Sequence, residues 1–251
     1  HFLLRRQRQM CIRDRITGAS GVIVPPEGYY EKVQSVLSKY NIMFWADEVI
    51  TGFGRTGSDF GCTTMNIHDP DMMTFAKQLS SAYMPISASA IRRDVYEAMI
   101  DQSAAAGAFG HGYTYSGHPV ACAVALRVLE IYERDNIFSR ASATGAYLQE
   151  HLKKFESHPL VGEVRGRGLL AALELVPNKE LEHQFQDGRV GGVAQKMAQD
   201  NGLLIRTVAG SSIGICPPLI ISKNQVDELV DKLGDALDKT FEYCKTYKLL
   251  T

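Results

Sequence analysis

Short apolar runs separated by amphipathic stretches extend from residue 16 to about residue 138. That pattern predicts alternating strands and helices, hence a parallel or mixed sheet. Val22–Val24 is predicted as a short strand, stopped by Pro25 and Pro26. Over Tyr29–Lys39, Tyr30, Val33, Val36 and Leu37 are assigned to one helical face. Asn41 ends that helix, and Ile42–Ala46 follows as a central strand. Met72–Ala76 and Ile86–Ile91 are predicted as further strands, with a helix over Asp94–Ile100. A glycine-rich loop, Gly107–Gly117, precedes a long helix that carries Pro119 in its first turn, where proline is tolerated.

From Phe138 the pattern changes to α+β, and a domain boundary is placed there. Ser139–Phe155 and Val190–Asp200 read as helices, the second ended by Asn201-Gly202. Leu169–Leu175, Leu203–Arg206 and Ile213–Cys216 read as strands. The last helix, Lys223–Tyr247, repeats Val226, Leu229, Val230, Leu233 and Leu237 at helical spacing.

With 45% hydrophobic and 22% charged residues in 251, the composition is that of an ordinary globular chain. A net charge of −1 points to neither nucleic acid nor a membrane surface. Cys11, Cys62, Cys122, Cys216 and Cys244 are scattered without a CxxC, which fits reduced thiols and a cytoplasmic location. No apolar run approaches the roughly 20 residues that span a bilayer. Residues 1–15, HFLLRRQRQMCIRDR, carry five arginines against one acid without the serine-rich, amphipathic character of a transit peptide. They read as a non-native stretch joined in frame to a truncated gene. The chain then comprises 1–15, a first region at 16–138 and a C-terminal region at 139–251.

The chemistry concentrates in one segment. Asp47 and Glu48 end the apolar run IMFWA, and Lys77 closes a second run, MMTFA. A carboxylate and a lysine, each just past a buried strand, are what a pyridoxal phosphate (PLP) enzyme requires. The amine forms an imine with the cofactor aldehyde, and the carboxylate keeps the pyridine nitrogen protonated. In open α/β sheets such groups face a crevice at the carboxyl ends of the strands. Partial desolvation there would favour the nucleophilic amine. Taken singly, a strand-end aspartate caps a turn and a lysine is a solvated surface residue.

Gly52-Phe53-Gly54-Arg55-Thr56-Gly57 satisfies GxGxxG, but no helix pattern opens at its third glycine, so a dinucleotide site is not supported. His111–His118 (HGYTYSGH) brings hydroxyls and backbone donors to a helix start, either as a phosphate cradle or as a turn-rich connection. With no HExxH, paired Cys/His or GxSxG present, neither a metal site nor a serine-hydrolase elbow is supported.

Together, ADEVITGFGRTG, PDMMTFAKQLSSAYMP and HGYTYSGHPVACAVAL resemble the class III aminotransferases, PLP enzymes of fold type I. HPLVGEVRGRGLLAALEL, GLLIRTVAG and ICPPLIIS look like that family's C-terminal domain, so the resemblance covers residues 16–251. It implies part of a PLP-binding large domain, with a mixed, mostly parallel sheet, followed by an α+β small domain. By the same resemblance Lys77 carries the cofactor and shuttles the substrate proton, Asp47 pairs with the pyridine nitrogen, and Val49 packs on one ring face. Tyr113 and Thr114 match the loop that reaches a partner subunit's phosphate in a homodimer. Arg206 matches an arginine that binds the substrate carboxylate, a task suited to its planar fork.

SSAYMP after the lysine looks most like ω-amine and 4-aminobutyrate transaminases that use pyruvate. The implied reaction takes an amino group from an ω-amine or ω-amino acid, such as 4-aminobutyrate or a diamine, to a 2-oxo acid. Rival readings are a class III decarboxylase, aminomutase or racemase, or a non-catalytic relative. Asp14-Arg15 stand where the family reads Glu-Pro, and Thr17 where glutamine is frequent; single-residue insertions fall near Thr63–Asp69 and Ser211. Because the family's phosphate loop and ring-stacking aromatic precede Ile16, the fragment is expected to be inactive alone.

Overall fold

The computed structural model describes residues 11–14, 16, 20–181, 185 and 188–250. Its chain divides into two compact units. The first comprises His1–Arg15, Pro25–Phe53 and Asp59–Asn136; the second comprises Ile16–Val24, Gly54–Ser58 and Ile137–Thr251.

The first unit holds a four-stranded sheet ordered β1 (Cys11–Asp14), β2 (Met43–Asp47), β3 (Met72–Phe75), β4 (Ala88–Ile91). β1, β2 and β3 run parallel, and β4 is antiparallel to β3. The helix between β1 and β2, α1 (Tyr29–Lys39), carries Glu31 in its first turn and Lys39 in its last, as the helix dipole favours. Asn41, at φ 50°, ends it. Ile42 N–H reaches Leu37 O at 2.9 Å and Asn41 N–H reaches Ser38 O at 3.2 Å, a Schellman closure. Tyr30 and Leu37 pack with Phe44, Ala46, Cys62 and Ile67 in the core of this unit. Each large apolar side chain buried there contributes about 1.5–3 kcal/mol. Val36, placed on the buried face by the sequence reading, is 52% exposed. Six residues from Tyr30 is 240° of helical rotation, well off the face that Leu37 shares.

A short helix, α2 (Gly61–Thr64), follows the turn-rich segment after β2. The helix after β4, α3 (Arg93–Ala106), is longer than Asp94–Ile100 and has no buried residue. After the exposed loop, α4 (Pro119–Arg134) buries Ala121, Ala125, Val128 and Tyr132.

The second unit contains α5 (Ile137–Leu152), an antiparallel sheet ordered β5 (Val161–Arg167), β6 (Leu170–Leu175), β8 (Ser212–Ile215), β7 (Arg206–Val208), and two further helices, α6 (Arg189–Asp200) and α7 (Lys223–Thr246). β6 is an inner strand buried on both faces over Leu170–Leu173, which accounts for the apolar run there. Ser222 and Gln225 form a capping box at the start of α7, which packs chiefly on α6 and α5. Leu203 N–H reaches Ala198 O at 2.9 Å and closes α6 at the expected Asn201-Gly202.

Three strand assignments change. Val22–Val24 is not a strand: Val22 sits at φ 56° and only Ile23 makes an isolated bridge. Leu203–Ile205 are unpaired, Leu204 is 84% exposed, and the strand begins at Arg206. β5, polar and glycine-interrupted, was not anticipated. It is an edge strand, and an edge strand with one solvated face needs no continuous apolar run.

Candidate active site

Asp47 is the last residue of β2 and Thr74 is its register partner in β3, so both parallel strands end at the same edge of the sheet. Glu48 N–H continues the ladder to Thr74 O at 2.9 Å. Lys77 lies three residues beyond Thr74 and opens a 3₁₀ turn, Lys77–Leu79. It has φ 45°, in the left-handed region, as do Ser81 and Ala82. Non-glycine residues held there cluster at functional sites, because the surroundings must over-determine a costly conformation. Tyr132 Oη donates to Gln78 O at 2.8 Å and Ser80 Oγ to Met84 O at 2.6 Å, fixing the turn from two sides.

The two residues differ in burial. Asp47 is 1% exposed, and its Oδ1 accepts Val49 N–H at 3.0 Å. Lys77 is exposed. The expected partial desolvation of its amine is therefore not supplied by the described residues. β3 is itself only half-buried.

The chain is not extended past Asp47: Gly52 N–H bonds Glu48 O at 3.0 Å, and Val49 lies within the turn that this closes. Its backbone meets Asp47 while its side chain is half-buried.

Glu48, read only as the second acid of a pair, is a buried anchor. Its Oε2 accepts Thr51 Oγ1 at 2.7 Å and Gly61 N–H at 2.8 Å, and its Oε1 accepts Cys62 N–H at 2.7 Å. Burial and this neighbouring carboxylate push the Cys62 thiol well above its ordinary range. The available signal was an acid at the end of a buried strand, with a Thr51-Gly52 pair three residues on.

Tyr113 and Thr114 lie in the exposed loop before α4, with Tyr113 N–H donating to Ser116 Oγ at 2.9 Å. Arg206 is exposed at the start of β7 in the second unit. Thr17 is outside the described residues. Of the GxGxxG residues, Gly52 and Phe53 remain in the first unit while 54–57 belong to the second. There Arg55, 6% exposed, donates to Leu169 O at 3.0 Å and Pro217 O at 2.6 Å. No helix opens at Gly57, so the segment is a structural crossing.

The donor set fits the cofactor implied by the sequence. A buried carboxylate and an accessible primary amine leave adjacent parallel strands at one edge. Thr74 Oγ1, beside Asp47, is buried with no hydrogen-bond partner among the described residues, and a hydroxyl so placed needs a polar group opposite it. Among the described residues no cluster of His, Cys, Asp or Glu could hold a metal ion, and no helix is long and apolar enough to cross a membrane.

Residues 11–237 match the family model for aminotransferase class III. A probable γ-aminobutyrate transaminase 3, mitochondrial, of Oryza sativa subsp. indica is 46% identical over 232 residues, covering 92% of this chain and 45% of the relative. The ω-transaminase of Pseudomonas jessenii in complex with PMP superposes with a TM-score of 0.89 at 46% identity, covering 92% of this chain and 51% of that one. A transaminase with L-Ala superposes with a TM-score of 0.90 at 44% identity, covering 93% and 55%. The chain thus spans about half the length of the curated relatives it matches. Its mixed sheet and α+β second unit are those of fold type I. On the match and the identity together, the chain belongs to the class III aminotransferase family.

Proposed function

We propose that this chain is part of a PLP-dependent enzyme moving an amino group from an ω-amine or ω-amino acid, such as 4-aminobutyrate or a diamine, to pyruvate or another 2-oxo acid. The observation that carries the reading is the exit of Asp47 and Lys77 from adjacent parallel strands at one sheet edge. When bound, the cofactor supplies an electron sink for the substrate carbon. Asp47 would hold the ring nitrogen's proton, and the Val49 N–H on its Oδ1 fixes how the carboxylate is turned. Lys77 would hold the cofactor through its side-chain amine and carry a proton to and from the substrate carbon. Val49 is the residue that packs on a ring face.

Tyr113 and Thr114, on a loop that their own unit leaves exposed, are assigned to the phosphate of a partner subunit in a homodimer. Arg206, exposed at a strand start, is assigned to the substrate carboxylate. The relatives named as γ-aminobutyrate transaminases and the ω-transaminase support the substrate class. Cys62, Cys122, Cys216 and Cys244 are free thiols, which suits a reducing compartment, taken here as the cytoplasm.

The test is borohydride reduction of the full-length protein with PLP, peptide mapping, and measurement of alanine formed from pyruvate with a panel of amines. An adduct on Lys77 together with alanine from 4-aminobutyrate or a diamine is the expected result. No Lys77 adduct, or amine consumed without alanine, overturns the reading. The 251-residue chain alone is expected to turn over no amine.

A further inference from the structure

The carboxylate adjacent to Asp47 in the chain has no part in the chemistry above, yet Glu48 is 2% exposed and accepts three hydrogen bonds. Its partners come from both ends of the segment joining β2 to α2: Thr51 just after the strand, and Gly61 and Cys62 where the short helix begins. Its own carbonyl accepts Gly52 N–H at 3.0 Å and closes the turn. Thr51 Oγ1 lies 2.7 Å from Glu48 Oε2 and 3.3 Å from Asp47 O, so it stands between the two acidic residues. Inside that turn, Val49 N–H points at Asp47 Oδ1.

The fit around Glu48 leaves little slack. A Cβ added to Gly61 would lie 2.7 Å from Thr51 Cβ and 3.2 Å from Glu48 Oε2. The Cys62 thiol beside the carboxylate stays protonated and adds no competing charge. Charge-assisted bonds to backbone N–H groups in a dry site are short and directional, so they define one turn geometry.

We propose that Glu48 is a positioning residue: by tying Thr51 to Gly61 and Cys62 it holds the turn that keeps the Val49 N–H on Asp47 Oδ1, and so sets the orientation of the Asp47 carboxylate toward the cofactor nitrogen. The proposal rests on the reading of Asp47 as that nitrogen's partner. Glutamine in place of Glu48 keeps the volume but offers one acceptor oxygen where the site uses two.

Two measurements test it. In the 251-residue chain without cofactor, hydrogen exchange at Val49 N–H is expected to accelerate at least about tenfold in Glu48→Gln and in Thr51→Val, but not in Thr51→Ser, which keeps the hydroxyl. In the full-length protein loaded with PLP, the pH midpoint of the cofactor's visible absorption is expected to rise by about one unit in the same two variants. A misdirected Asp47 lets the ring nitrogen lose its proton, and that positive charge otherwise opposes protonation elsewhere on the conjugated system.

Leu37→Ala, a cavity in the core of the same unit, is the control: it should lower the melting temperature and leave both readouts in place. If Glu48→Gln does not fold, Thr51→Val against Thr51→Ser decides the matter. Unchanged exchange and midpoint in a variant that still loads at Lys77 overturn the proposal alone. Failure of the unsubstituted protein to load at Lys77 overturns the site reading, and this proposal with it.

Discussion

Asp47 and Thr74 occupy one rung of the parallel β2–β3 ladder, and the chain beyond Thr74 reaches Lys77 in a left-handed turn. Parallel pairing places both strand ends at the same edge, so an acid ends one strand and an amine follows the next at that edge although thirty positions separate them in sequence. Alternation of side chains along an extended strand does not place the lysine. The reversal at φ 45° does.

That reversal has a measurable cost. A side chain in the left-handed region is disfavoured by about 1–2 kcal/mol, and glycine escapes the penalty. Lys77→Gly is therefore expected to be more stable to urea than Lys77→Ala by about 1 kcal/mol, while both abolish the borohydride-trapped adduct. Equal stability of the two variants would show that the turn stores no strain.

Arg55 should behave as a structural cation. Its guanidinium bonds the Leu169 and Pro217 carbonyls from a buried position, and carbonyls left without a buried donor cost about 1–3 kcal/mol each. Arg55→Met is expected to lose about 3 kcal/mol in denaturant unfolding. Arg55→Lys should recover part of it, since one nitrogen, Nη1, makes both bonds and an ammonium also carries several donors. A loss below about 1 kcal/mol in Arg55→Met would assign the arginine some other role.

How much of this could be read from residues alone varied with the physics behind each element. Helix α1 and the close of α6 were anticipated because amphipathic spacing and helix-end chemistry are local signals, here Tyr30 with Leu37 and Asn201 with Gly202. β2 and β3 were anticipated because Phe44 and Ala46 belong to a short apolar run. β1 lies within an arginine-rich stretch whose composition conceals its pairing, and β5 within a polar, glycine-broken one. Pairing is a long-range property that neither stretch advertises. In the candidate site, Asp47 and Lys77 were visible at the ends of two apolar runs, and the resemblance added their roles. The turn that removes Val49 from the strand direction and the anchoring by Glu48 were not, because both depend on Gly61 and Cys62 returning to the strand end.

Gly168 is expected to tolerate nothing larger. A Cβ there would lie 2.4 Å from the Thr56 carbonyl carbon and 2.5 Å from Gly57 N, at φ +57°. Both neighbours are backbone, so relief requires the chain itself to move. Gly168→Ala should cost at least about 3 kcal/mol by calorimetry or denaturant. Gly28→Ala, at φ +77° with nothing within 4 Å, provides the comparison and should cost only about 1 kcal/mol. Similar losses at the two positions would refute the steric account.

His158 makes the second unit sensitive to acid. Its side chain is 11% exposed, its Nδ1 accepts Leu160 N–H at 3.1 Å, and its Nε2 faces Asp238 Oδ1 at 3.3 Å. Burial lowers its pKa below the ordinary imidazole value, and Asp238 only partly offsets that. The Leu160 bond acts in the same direction as burial, because a proton on Nδ1 would abolish it. The unfolded chain thus takes up the proton near pH 6.5, before the folded chain does. Stability from this residue is present above about pH 6.5 and is lost as the pH falls toward the lower folded value, with a slope of at most about 1.4 kcal/mol per pH unit. Urea midpoints between pH 8 and pH 5 should fall more steeply for the unsubstituted chain than for His158→Asn. Parallel curves, or a rise in stability on acidification relative to the variant, would reverse this assignment.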